Sequence, residues 1–267
     1  MRGWALGVAL LGAGAVVLGA VVHDSSHSTS TEPDRAESFV REAKRLPAPP
    51  QPALRVGRPT LLRREETSAR FAPVVRRMEA RRAPSPGAPA VAPLELETPE
   101  GTTNIVLVVG ERALPRGLWV RVRLSVLPND LTGWVPRRAL GGYQFVHTHL
   151  IVDRTRLIAT LVSDGRKVFS APIGVGEPAW PTPAGEFYVR NRLSGFGNPF
   201  YGPVAFGTSA RSAVLTDWPG GGFVGIHGTN EPELIPGRIS HGCIRLRNTD
   251  IRRLSRLMPV GTPVTIR

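Results

Sequence analysis

One cysteine in 267 residues, Cys243, excludes an internal disulfide. C-x-x-C and H-E-x-x-H spacings are absent as well, so the common zinc-site patterns are missing. Acidic residues are scarce, 21 against 34 basic ones, and the formal net charge is +13. That balance suits an anionic partner, either nucleic acid, anionic lipid or an acidic polymer. No nucleic-acid-binding motif accompanies the charge, which argues against the first. What the chain does have in quantity is 26 Pro and 29 Gly, unevenly spread, which implies long irregular stretches.

Residues 4–22 (WALGVALLGAGAVVLGAVV) are the one long apolar run. Nineteen apolar residues are about enough to cross a ~30 Å hydrocarbon layer as a helix, and no clear A-x-A cleavage site follows. Residues 1–22 are therefore expected to be a signal-anchor helix. Arg2 on one side, and Asp24, Glu32 and Asp34 beyond the other, favour the N-terminus inside and the remainder outside. Residues 23–93 combine proline clusters with many arginines and few apolar residues, the composition of a disordered tether. Two pieces of it, 35–46 and 61–82, are candidates for short helices.

Residues 94–142 change character. The runs IVLVV (105–109) and LWVRV (118–122) and the segment TGWVPRRAL (132–140) predict a small all-β unit. Trp119 and Trp134 are expected as its core aromatics. From residue 143 onward, strands are expected at 149–153, 156–162, 167–173, 185–190, 202–206, 223–227 and 263–266. Ser163-Asp164-Gly165 makes a hairpin turn between the second and third of these. One helix is expected after Asn248 as N-cap, with Ile251, Leu254, Leu257 and Met258 on one face and Gly261 past its end. The expected fold is mainly β: a β-rich domain with one late helix (143–267), a small β-barrel before it (94–142), and an N-terminal membrane helix with a tether.

The stretch 227–248, HGTNEPELIPGRISHGCIRLRN, concentrates the chemistry. Cys243 has His241 two residues before it and His227 sixteen before it. In an exported chain a lone cysteine is a reactive thiol, half of an intermolecular bridge, or a lipid anchor, and the last needs a position near the N-terminus. Cys–His is a nucleophile-and-base pairing, because the thiolate attacks and an imidazole can take the thiol proton. Gly228, Gly237 and Gly242 surround the pair and permit close backbone approach to a developing oxyanion. An inert buried thiol is the ordinary alternative for a cysteine. Zinc on His227, His241 and Cys243 is another, disfavoured by the absent metal spacings.

At these residues the H-G-T-N … S-H-G-C-I-R pattern resembles the L,D-transpeptidases with a YkuD-type catalytic domain. The resemblance extends upstream through SAPIGVG (170–176), PTPAGEF (181–187) and YGPVAF (201–206), covering roughly residues 143–267. The G-W-V-P pattern of 133–136 followed by Leu140 is similar to the last strand of bacterial SH3-like domains. The family resemblance implies a cysteine acyl-enzyme that cross-links peptidoglycan stem peptides without a cofactor or metal, and covalent inhibition by β-lactams of the carbapenem type. It makes Cys243 the nucleophile and His227 the base, with the Gly228 carbonyl orienting the ring. It places His241 at the site as substrate contact or second base, and the Gly242 and Cys243 N–H groups at the oxyanion. Ser240 and Arg245 belong to the motif, Arg245 fixing the loop or meeting a substrate carboxylate. Trp180, Phe196, Tyr201 and Trp218 are candidates for groove walls, and Arg190 and Arg192 for stem-carboxylate contacts. With the apolar run, this implies an enzyme on the outer face of the cytoplasmic membrane. Hydrolysis of the same acyl-enzyme, as an L,D-carboxypeptidase, and a non-catalytic wall-binding protein are the alternatives.

Overall fold

The computed structural model describes residues 68–194, 198–215 and 221–267, all within one unit that spans 61–267. The apolar run 4–22, the helix candidate 35–46, Phe196 and Trp218 lie outside the described residues. Seven strands form the first sheet: β1 (Ala69–Pro73), β2 (Met78–Arg81), β3 (Ala90–Leu94), β4 (Ile105–Leu114), β5 (Gly117–Arg123), β6 (Thr132–Pro136) and β7 (Gln144–Val146). Their order is β3-β2-β6-β5-β4-β1-β7, antiparallel throughout.

This corrects two expectations. Residues 69–94 are three strands rather than tether, and the helix candidate 61–82 holds β1 and β2 instead. The reason is a period-2 pattern hidden among arginines and prolines. Ala72, Val74, Ala80, Ala92 and Leu94 join Val106, Val108, Val120, Val122 and Val135 in one buried cluster. Phe71, Ile105 and Leu107 face the other way and pack with Tyr188 of the second sheet. Strand β1 is thus covered on both faces. Trp119 is 7% exposed and belongs to the core.

Ten strands form the second sheet. They are β8 (Thr148–Asp153), β9 (Ile158–Ser163), β10 (Arg166–Pro172), β11 (Gly174–Gly176), β12 (Gly185–Ser194), β13 (Val204–Arg211), β14 (Phe223–His227), β15 (Gly237–Ser240), β16 (Ile244–Arg245) and β17 (Pro263–Ile266). The order is β10-β9-β8-β17-β12-β13-β14-β16-β11-β15. Asp164 (φ 50°) and Gly165 (φ 75°) make the β9–β10 turn, the left-handed pair that a two-residue hairpin favours. Among the described residues there is one α-helix, α1 (Asn248–Leu257). Ile251, Leu254 and Met258, at i, i+3 and i+7, are buried by it, while Leu257 stands 38% exposed off that stripe.

Asn248 opens α1 without capping it. Its Oδ1 accepts the Thr229 N–H at 3.1 Å, so the residue ties the helix start to the H-G-T-N loop. The two sheets are joined by polar pairs as well as by Phe71. Asn129 exchanges two hydrogen bonds with the Arg211 backbone (2.8 and 3.0 Å), and the Tyr188 hydroxyl donates to the Ile105 carbonyl at 3.0 Å. Arg190, proposed above for substrate, is instead buried and paired with Glu100 at 2.9 Å. Burial of an arginine demands such a partner. Arg192 is exposed.

Candidate active site

Strands β14 and β16 run parallel side by side, with Ile226 opposite Ile244 and His227 opposite Arg245. Because side chains alternate, Ile226 and Ile244 enter the core while His227, Cys243 and Arg245 share the other face. The sixteen residues between the two strands, β15 among them, return the chain without disturbing that register. Gly225, which sequence reasoning passed over, lies on the same face. Its N–H donates to the Cys243 Sγ at 3.4 Å. A Cβ at Gly225 would stand 3.8 Å from that sulfur and 3.7 Å from His227 Cδ2. Thiol and imidazole therefore flank a gap of about one methyl group. A glycine here keeps that gap open.

His227 is 2% exposed, and its Nδ1 lies 2.6 Å from the Gly228 carbonyl oxygen. A carbonyl only accepts, so Nδ1 carries the proton and Nε2 presents its lone pair. Nε2 is buried and has no hydrogen-bond partner. Burial pushes the His227 pKa down to about 4, with the Gly228 carbonyl acting against the shift and the Arg245 charge adding to it. The Cys243 thiol, largely buried at the edge of the cleft, is pushed up by desolvation, opposed by the Gly225 N–H and by Arg245. Both shifts favour the uncharged forms, thiol and imidazole. A neutral imidazole whose Nε2 has no hydrogen-bond partner keeps a lone pair available to accept a proton.

A neutral buried His227 makes stability depend on pH. Its folded pKa lies below the unfolded value of 6.5, so the unfolded state binds more protons between about pH 6.5 and 4. Stability from this group is whole above that window and is lost as pH falls through it, on the order of 3 kcal/mol in all. Chemical denaturation at pH 7 and pH 4.5 is expected to show a smaller acid loss for His227→Gln than for the unsubstituted protein. Equal losses would refute the assignment.

The sharp turn at Cys243 is built by three hydroxyl and backbone contacts. Gly242 has φ +112°, a conformation that side chains oppose. Ser240 Oγ accepts the Gly242 N–H at 3.2 Å and donates to the Cys243 carbonyl at 2.5 Å. The Gly242 N–H, expected at the oxyanion, is thus used inside the loop. Thr182, from the PTPAGEF segment, donates to the Gly242 carbonyl at 2.8 Å and accepts the Gly176 N–H at 2.8 Å. That residue also escaped the sequence reading, since the carbonyl it holds lies sixty residues away. Its only local signal is a hydroxyl set between two prolines.

Aromatic rings wall the cleft. Tyr201 meets the His227 ring edge-on at 5.0 Å, and Phe200, a further residue missed, lies 6.0 Å from it. The Arg245 guanidinium lies 4.3 Å from the Phe200 ring centre and 3.1 Å from Glu231, so it is held within the protein. The exposed His241 ring stacks on Trp180 at 4.2 Å, at the lip of the cleft. Phe200, Tyr201, Phe223, His227, His241 and Cys243 line a common pocket. Among the described residues, no three His, Cys, Asp or Glu side chains gather as a metal site.

A carbonyl-anchored imidazole at the end of β14 and a thiol immediately before the neighbouring β16 define a cysteine–histidine site in a mainly β protein. The family model for the L,D-transpeptidase catalytic domain matches residues 147–266. The Bacillus subtilis protein YqjB, whose name assigns it to the L,D-transpeptidases, is 30% identical over 126 residues, covering 44% of this chain and 70% of the relative. Its counterpart YkuD from the same organism is 37% identical over 118 residues, covering 44% of this chain and 65% of the relative, just under two thirds of that length. The solved catalytic domain of the Enterococcus faecium L,D-transpeptidase is 28% identical, with a TM-score of 0.34, covering 45% of this chain and 96% of that one. The chain belongs to the L,D-transpeptidase family. The family match begins at residue 147, so the SH3-like resemblance upstream stands on its short motif alone.

Proposed function

We propose that the protein is an exported L,D-transpeptidase that cross-links peptidoglycan stem peptides through an acyl-enzyme on Cys243. The observation that carries this reading is that the Cys243 sulfur and the His227 ring, whose Nε2 has no hydrogen-bond partner, both lie within 3.8 Å of one Cβ position at Gly225. The substrate implied by the family is a stem peptide with a diamino acid before its terminal D-residue. As the sulfur adds to the diamino acid carbonyl, Nε2 takes the thiol proton and the carbonyl oxygen takes the electron pair. Collapse then breaks the C–N bond, and the imidazolium returns its proton to the departing D-amino acid. A side-chain amine of a second stem attacks the thioester, gives its proton to Nε2, and releases the sulfur.

Deprotonation inside the substrate complex, rather than a standing thiolate, fits two groups that burial keeps neutral. The same thiol is expected to open a carbapenem ring and remain acylated. The apolar run 4–22 and the arginine-rich segment after it support a place on the outer face of the cytoplasmic membrane, near anionic surfaces.

The test is product analysis with the full-length chain in detergent and disaccharide tetrapeptide. Cross-linked dimer with release of the D-amino acid is expected. Tripeptide alone would identify an L,D-carboxypeptidase. Unchanged substrate and no carbapenem adduct would leave the non-catalytic wall-binding reading.

A further inference from the structure

Gly242 C=O and Cys243 N–H belong to one trans peptide unit, and in such a unit the two groups point in opposite directions. Whatever grips the carbonyl therefore aims the amide. Thr182 grips it. Its side chain is buried, 1% exposed, and both of its hydrogen-bonding roles are specified. The Gly176 N–H occupies an acceptor position of the hydroxyl, so the hydroxyl proton is left for the Gly242 carbonyl. Gly176 ends strand β11 and pairs with Ser240 in β15, which gives the hydroxyl a rigid base.

We infer that Thr182 is a positioning residue for acyl transfer. By holding the Gly242 carbonyl on the buried side, it turns the Cys243 N–H toward the cleft as the oxyanion donor. Ser240 completes the arrangement from the other side. It engages the Gly242 N–H and the Cys243 carbonyl, leaving the peptide unit between them to Thr182 alone. The inference rests on the acyl-enzyme reading above and names the group that orients its oxyanion site. Thr182 is not among the residues that line the Cys243 pocket; it acts across sixty residues of sequence separation, by one hydrogen bond.

The role is separable from general packing, because two reactions of the same thiol differ in their need for an oxyanion donor. Acylation by a carbapenem places negative charge on a carbonyl oxygen. Alkylation by iodoacetamide displaces iodide at a saturated carbon and places none there. Thr182→Val keeps the side-chain shape and removes the hydroxyl. It is expected to slow carbapenem acylation by about 10²-fold, the scale of a lost oxyanion donor, with alkylation little changed. Thr182→Ser is expected to restore most of the acylation rate. Thr182→Ala, where a water has room to bridge Gly176 and Gly242, should fall between Val and Ser, and it serves as the second variant if Thr182→Val does not fold. Equal slowing of both reactions, or no slowing of acylation, would overturn the inference. Failure of the unsubstituted protein to acylate at all would instead overturn the acyl-enzyme reading, and this inference with it.

Discussion

Cys243→Ala is expected to abolish carbapenem adduct formation, and His227→Gln to slow it by about 10²–10⁴-fold, the range for losing a positioned general base. Intact-protein mass spectrometry against time measures both. The effect is large because the substitution removes a buried imidazole from the pocket that the thiol lines. His227 Nε2 is buried without a hydrogen-bond partner, and Arg245, on the same face, is a cation committed to Glu231. Gln keeps a polar side chain of similar reach but no basic nitrogen. A His227→Gln rate within a few-fold of the parent would transfer the base role elsewhere, His241 being the runner-up. The same variant is the control for the acid-stability measurement above, so one protein tests both the kinetic and the equilibrium consequence of a depressed imidazole pKa.

Phe71→Ala is expected to destabilise the protein by about 3–5 kcal/mol, the cost of emptying a packed aromatic site. For a unit of about 200 residues that corresponds to a melting temperature lower by roughly 10 °C. Phe71 is 4% exposed on β1, and it packs with Ile105, Leu107 and Val146 of its own sheet and Tyr188 of the other. A Cβ at Gly261 would lie 2.2 Å from its ring, so the ring sits directly on the loop before β17 and no side chain fits between them. The cavity left by Phe71→Ala opens between the two sheets, where neither can collapse into it without moving the other. Calorimetry showing a shift under about 2 °C would mean that the ring contributes little to holding them together. By the same reasoning, removing residues before 94 strips β1, β2 and β3 from the seven-stranded sheet and exposes the clusters that they cover.

Much of this site was readable from spacing. The segments G-I-H and C-I-R each place a core isoleucine between two outward residues, so parallel pairing brings His227, Cys243 and Arg245 to one face whatever the loop between them does. The late helix followed from the periodicity of Ile251, Leu254 and Met258. Leu257 was misplaced because it lies outside that i, i+3, i+7 stripe. The strands at 69–94 escaped because their apolar residues are small, mostly Ala and Val, and are diluted by Arg and Pro. Composition over a wide window hides an alternation that five residues at a time reveal.

Local pattern alone decided the mainly β architecture of the C-terminal half, the choice of a thiol and an imidazole as reacting groups, and the strand faces that carry them. Those depend on side-chain period and on chemistry intrinsic to each residue. Tertiary structure alone decided the protonation of the pair, the emptiness of Gly225 between them, the capture of the Gly242 N–H by Ser240, and the grip of Thr182 on the Gly242 carbonyl. Burial and hydrogen-bond direction are set by atoms brought together from segments up to sixty positions apart, and no propensity of a single segment encodes them.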